Sequence, residues 1–171
     1  MLGEMLARRS VRKYTGEAVA EGSLEQIVLA GLSAPSGRSL HPVHLFVVRD
    51  LETVHALAAC RQGASTQMLS CAGAAIVVAA ETDRSDTWVE DCSLAMGSMH
   101  LMASSLGLGS CWVQGRGREA ADGRSTQDFV FDLLGIDGEL ALEAVLAIGI
   151  PEQPAQARTA DDLDASKVHW M

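Results

Sequence analysis

The sequence is short of cations, long apolar runs, paired cysteines and the familiar hydrolase motifs, and each shortage removes a class of function. Lys and Arg number 13 against 22 Asp and Glu, for a formal net charge of −9 and a pI near 4.9. No broad basic face can be assembled from that supply, which argues against nucleic acid and against an anionic membrane surface as partners. The longest apolar runs, such as Ala72–Ala80, fall far below the ~20 residues of a membrane span. The opening MLGEMLARRSVRK has neither the apolar centre nor the small-residue cleavage pattern of a signal peptide. A soluble, cytoplasmic protein is therefore expected. Cys60, Cys71, Cys92 and Cys111 are scattered, with no C-x-x-C and no zinc spacing. They read as reduced thiols, three of them in the core. G-x-S-x-G, G-x-x-x-x-G-K-[ST] and H-E-x-x-H are all missing. His41 and His44 stand three apart, and in a strand that spacing points them to opposite faces, so no metal site is expected there.

What is present suits one well-buried core: 171 residues, 48% hydrophobic, with no repeat, linker or low-complexity tract. A single domain over 1–171 is expected. Ser23-Leu-Glu-Gln26 has the capping-box form and predicts a helix that ends before Pro35. Residues 34–42, APSGRSLHP, read as a loop, 43–50 as a strand and 51–61 as a helix. Ala75–Ala80 reads as a buried strand, 110–114 as another, and Leu142–Ile150 as the last. Ser125 is placed to cap a helix through Leu134, with Phe129, Val130, Leu133 and Leu134 inward. The polar remainder after Pro151 is expected to be irregular.

Between Ser85 and Leu106 the apolar positions Trp88, Cys92, Ala95, Met99, Met102 and Leu106 recur at helical spacing, with Val89, Met96 and Ala103 as a second seam. Two seams make a stripe too wide for a surface helix, so this is a central helix or one shared with a partner subunit. His100 on it is expected at the helix surface or an interface. Gly107 and Gly109 stop the helix; they follow a helix and precede a strand, the reverse of a dinucleotide-binding turn. Helices and strands alternate loosely, which fits α+β or α/β without separating them.

The densest chemistry lies in Arg8–Tyr14, RRSVRKY, four cations within six residues of an acidic chain. Such a run is either a solvated patch or a seat for an anion. In an extended segment Ser10 and Arg12 face one way and Arg9 and Val11 the other. Ser10 and Arg12 can thus converge on one anion, with Arg8 approaching from the end of a short helix. Guanidinium and hydroxyl donors suit a phosphate group.

These residues resemble the N-terminal signature of the FMN-dependent nitroreductase family. Ala34-Pro35-Ser36 and His41-Pro42 are similar to its second signature loop. Trp88, Glu90-Asp91-Cys92, Ala95 and Leu106–Trp112 are similar to its central helix and following strand. Ala147–Pro151 and the tail Lys167–Trp170 complete a series in family order over nearly the whole chain.

The resemblance implies an α+β fold with a central mixed β-sheet flanked by helices, in an intertwined homodimer with two FMN sites at the subunit interface. Position by position, it implies that Arg8, Ser10 and Arg12 hold phosphate and ribityl oxygens and that Arg9 lies beside the polar edge of the flavin. Arg158 would reach the same phosphate from the tail. Pro35, Ser36 and Ser39 would approach the ring from the partner subunit. After Trp112 and Val113, the N–H groups of Gln114 and Gly115 would lie near flavin N5 and O4. Ser39 stands where many members have Asn, and Val43 where many have Trp. The chain is also compact, which implies an open pocket.

The implied activity is FMN-dependent NAD(P)H oxidation coupled, in a ping-pong cycle, to reduction of nitroaromatics, quinones or similar conjugated electrophiles. It requires no catalytic acid, base or nucleophile from the protein. The alternative is a flavin-binding carrier or redox sensor with little turnover.

Overall fold

The computed structural model describes residues 1–171, apart from the side chains of Ala64 and Ser65. Four strands form one sheet in the order β1-β2-β4-β3: β1 Val43–Val48, β2 Ala74–Glu81, β3 Gly109–Gln114 and β4 Leu140–Gly149. All three ladders are antiparallel. The parallel component of the mixed sheet is a single bridge, Ser10 to Ser110, outside the named strands.

The two central strands are covered on both faces, which is why AAIVVAA is apolar without alternation. Ala75 and Val77 face one cluster, with Val54, Leu57, Leu69, Val130 and Val145. Ala74, Ile76, Val78 and Ala80 face the other, with Ile27, Met96, Met99, Leu146 and Ile148. Helices α2 (Glu21–Leu32) and α4 (Trp88–Ser105) supply the second cluster. Helix α3 (Leu51–Ala56) and α5 (Thr126–Leu134) supply the first, and α1 (Leu2–Ala7) precedes the arginine run. No helix among the described residues is long and apolar enough to cross a membrane.

Several local expectations change. Helix α2 begins at Glu21 with Ala20 at its N-cap, so Ser23 lies in the first turn and caps nothing; Gln26 donates to the Gly22 carbonyl instead. The 51–61 helix is α-helical only to Ala56 and tightens to a 3-10 turn over Leu57–Cys60. In α5 the Ser125 cap is present, accepting from the Asp128 N–H at 3.0 Å, but Leu133 points outward because the stripe facing the sheet centres on Val130. On α4, Met99 and His100 are buried within this chain. Met99 packs so closely on Gly31 that a Cβ there would meet its Cγ at 2.9 Å. Much of the wide apolar stripe is thus consumed by α2 and the sheet. Leu94 is the large apolar side chain α4 leaves exposed.

Candidate functional site

The chain tail folds back over its beginning. The Arg158 N–H donates to the Leu6 carbonyl at 2.9 Å, and Arg9 donates through Nη1 to the Gln156 carbonyl at 2.9 Å. This closure brings a residue from the far end of the chain to the arginine run. The result is a cavity of about 430 Å³ lined by Arg8, Arg9, Ser10, Arg12, Ala155, Gln156 and Arg158. No carboxylate lines it, and among the described residues none of its four arginines is in an ion pair. Asp162 feels them from a distance: bonds from Thr159 hold its carboxyl below the usual range, helped by Arg158 and Arg9. Arg9 departs from strict alternation. It borders this cavity and also a more apolar one lined by Val11, Leu108, Ile150, Pro151 and Pro154.

The arginine run is anchored on β3. The Val11 N–H donates to the Ser110 carbonyl at 3.0 Å, and Ser10 bridges Ser110 in parallel. Behind Ser110 stands His100, Nδ1 at 2.7 Å from the Ser110 hydroxyl, both side chains buried. Burial, helped by the Arg8 charge, pushes the His100 pKa down to about 4, so the ring is neutral at neutral pH. Its burial was not expected from the sequence. The signal was its position: Met96, His100 and Ala103 share the second apolar seam at spacings of 4 and 3.

At the other end of β3, Val113 is in the core and Trp112 is half-buried. Gly115 donates its N–H to the Glu143 carbonyl at 3.0 Å, so that donor is committed inside the sheet and does not face a ligand. Antiparallel alternation then turns the N–H of Gln114 to the open edge away from β4. Of the two donors expected there, the structure leaves Gln114 alone available. Gly115 is required on other grounds, since a Cβ would meet Leu142 Cδ2 at 2.7 Å.

The Gln114 side chain is fixed on both sides. Its Oε1 accepts from Trp112 Nε1 at 2.8 Å, and its Nε2 donates to Glu143 Oε1 at 3.2 Å. Glu143 is the extra residue where the β2–β4 register shifts, Val78 opposite Ala144 and Ala79 opposite Leu142. Such a bulge re-aims one side chain. Here it buries a carboxylate that also accepts from Arg116 Nε at 2.7 Å. Nothing in a single sequence marks that bulge.

The third group is the loop between α2 and β1. Pro35, Ser36 and His41 line a small cavity of about 40 Å³ with Gly31, Val43, Asp91 and Ala95. Arg38, Ser39 and His41 all have positive φ, at 52°, 55° and 48°. Each such residue costs of order 1 kcal/mol or more and persists only where surroundings impose it. His41 also lies before β1, so the strand argument that separated it from His44 does not describe it. Ser36 Oγ accepts from the His41 N–H at 2.9 Å, and Ser39 is exposed. No residue of this loop lines the arginine cavity. One chain therefore assembles the basic seat but not a complete site with the loop.

The sequence matches the Nitroreductase family over residues 5–67 and 60–150, and the chain belongs to that family. An FMN-dependent nitroreductase from Clostridium difficile R20291 superposes with a TM-score of 0.93 at 35% identity, covering 99% of this chain and 98% of that one. An Archaeoglobus fulgidus relative, provisionally named an NADH dehydrogenase/NAD(P)H nitroreductase, is 34% identical over 95% of this chain and 92% of its own. A provisionally named nitroreductase from Desulfovibrio desulfuricans, solved in complex with FMN, has a TM-score of 0.75 at 26% identity, over 98% and 96% of the two chains.

Proposed function

We propose that residues 1–171 form one FMN-binding domain of an NAD(P)H oxidoreductase that reduces nitroaromatics, quinones or related conjugated electrophiles. The observation that carries this reading is the cavity of Arg8, Arg9, Arg12 and Arg158 with Ser10, cationic and free of carboxylates. Its donor set fits a phosphate monoester, which guanidinium pairs bind through two parallel charge-assisted bonds.

Arg8, Ser10, Arg12 and Arg158 would hold the phosphate end. Gln114 would offer its edge N–H to the ring, its side chain kept out of the way by Trp112 and Glu143. Bound FMN would supply the redox chemistry, taking hydride from NAD(P)H and passing electrons to the acceptor. The chain's own task is to bind, orient and present one edge of the ring, and that task uses no general base.

Because the loop 34–41 and the seat share no cavity, a second copy of the chain would bring its loop to the ring, which makes the working unit a homodimer. The exposed side of α4 offers Leu94 beside Met5 and Leu101 as apolar contact. Leu94→Asp should give a folded monomer by sedimentation velocity; an unchanged dimer would place the interface elsewhere.

The activity is tested by the visible spectrum of the FMN-reconstituted protein before and after anaerobic NADH or NADPH, followed by turnover with a quinone and a nitroaromatic. Bleaching with turnover is expected. Full flavin occupancy without turnover would replace the enzyme with a carrier or sensor, and failure to bind FMN would remove the reading.

A further inference from the structure

The loop between α2 and β1 holds Arg38, Ser39 and His41 in left-handed backbone, and a carboxylate 54 residues away in sequence reaches it. Asp91, on the first turn of α4, is 3% exposed. Its Oδ1 accepts the Gly37 N–H at 2.7 Å, and its Oδ2 accepts the Ser85 hydroxyl at 3.0 Å. The Thr87 hydroxyl lies 3.5 Å from the same Oδ2. No cationic side chain is among these partners, so the carboxylate is held by neutral donors alone, one of which belongs to the loop. Two further contacts clamp the same segment. A Cβ on Gly37 would clash with the Thr87 hydroxyl, and Arg38 makes a solvent-exposed pair with Asp86 at 2.6 Å. The segment before α4 and its first turn thus contact Gly37 and Arg38, and the left-handed residues Arg38, Ser39 and His41 lie at and just after that contact.

We propose that Asp91 is a positioning residue for the flavin ring: through the Gly37 N–H it fixes the path of residues 36–41 and so the direction in which Ser36 and Ser39 are presented. This rests on the FMN reading above. A buried acceptor aimed at a loop N–H is strong in this setting, because an unmet N–H or carboxylate there has no water to turn to. Asp91→Asn keeps an acceptor for Gly37, and the hydroxyls of Ser85 and Thr87 can rotate to accept from its amide. Asp91→Ala removes the acceptor. Gly37→Ala leaves Asp91 intact but drives the loop off Thr87, and adding Thr87→Ala removes the atom in the way.

The test is titration of each apoprotein with FMN and with riboflavin by flavin fluorescence, the midpoint potential of the bound flavin, and the Tm of the apoprotein. Asp91→Ala and Gly37→Ala should weaken FMN and riboflavin alike, by about 10-fold, since the defect is at the ring and not at the phosphate. They should also change the ratio of oxidised to reduced flavin affinity by a few-fold, where tenfold corresponds to about 30 mV for a two-electron couple. Asp91→Asn and the Gly37→Ala/Thr87→Ala pair should return both toward wild type. A lower Tm with unchanged affinities and potential would make Asp91 a purely structural residue and overturn the inference, leaving the FMN reading intact. Wild-type protein that binds neither flavin would overturn both.

Discussion

Two sets of arginines stand in opposite circumstances in this chain. Arg38, Arg49, Arg84, Arg116 and Arg124 each rest on a carboxylate: Asp86, Glu21, Glu81, Glu143, and Asp122 with Asp132. Among the described residues Arg8, Arg9, Arg12 and Arg158 rest on none and, unlike Arg61 and Arg118, which are also unpaired, they share one cavity. With 22 acids available to 13 cations, shortage of partners does not explain the second set. Like charges gathered around one space repel, and the gathering becomes favourable when an anion enters. The paired set is neutralised within the chain, at the surface except at Glu143, whereas the cavity set keeps the charge that the proposed phosphate seat needs.

The largest effect that sharpens this contrast is the Arg8→Ala/Arg12→Ala double variant, which should lose FMN from dialysed protein with little change in apoprotein Tm. Arg12→Ala alone should cost about 1–3 kcal/mol of FMN binding, since it removes one charge-assisted phosphate contact. Retained flavin in the double variant would mean that the cavity arginines do not hold it.

Next is His100, neutral beneath the seat and beside Arg8. Its pKa is depressed from 6.5 to about 4 in the folded chain, so the unfolded chain binds more protons between those values. Its contribution to stability is complete above about pH 6.5 and is lost as pH falls toward 4, roughly 3 kcal/mol in all. Urea titrations of wild type and His100→Gln across pH 4–7 should show the variant with the flatter profile. Parallel profiles would mean that the ring is not buried neutral.

Arg116→Ala comes third. It leaves the Glu143 carboxylate, 3% exposed, without its cation, which should lower stability by about 1–3 kcal/mol given that the guanidinium is half in water. Arg124→Ala should do least, under about 1 kcal/mol by thermal melting with FMN affinity unchanged, because both of its carboxylate partners are solvent-exposed. A flavin defect in Arg124→Ala would blur the line between the two sets.

The unpaired set was also the legible one. Arg8 to Arg12 are contiguous, their donor chemistry is visible in the residue types, and the family signature adds Arg158. Elements announced by period were legible too: β2 from its apolar run, α4 from its seams, α5 from Ser125. Features made by distant partners were not. Asp91 reaches Gly37 across 54 positions, and the register shift that aims Glu143 depends on a neighbouring strand. Ser23 failed as a cap because α2 starts a turn earlier than its polar signature, at Glu21 after Ala20. His100 was expected at a surface or an interface for a related reason. A stripe reports that a helix has apolar neighbours, but not whether they belong to its own chain.

The four arginines gathered in the cavity are proposed to seat the phosphate of FMN. The most direct test of that seat compares FMN with riboflavin, the same ring and ribityl chain without phosphate, by fluorescence titration of the wild-type apoprotein and of the Arg8→Ala/Arg12→Ala variant. FMN should bind wild type at least ~100-fold more tightly than riboflavin, and most of this ratio should collapse in the variant. Equal affinities for the two flavins in the wild-type protein would contradict that proposal.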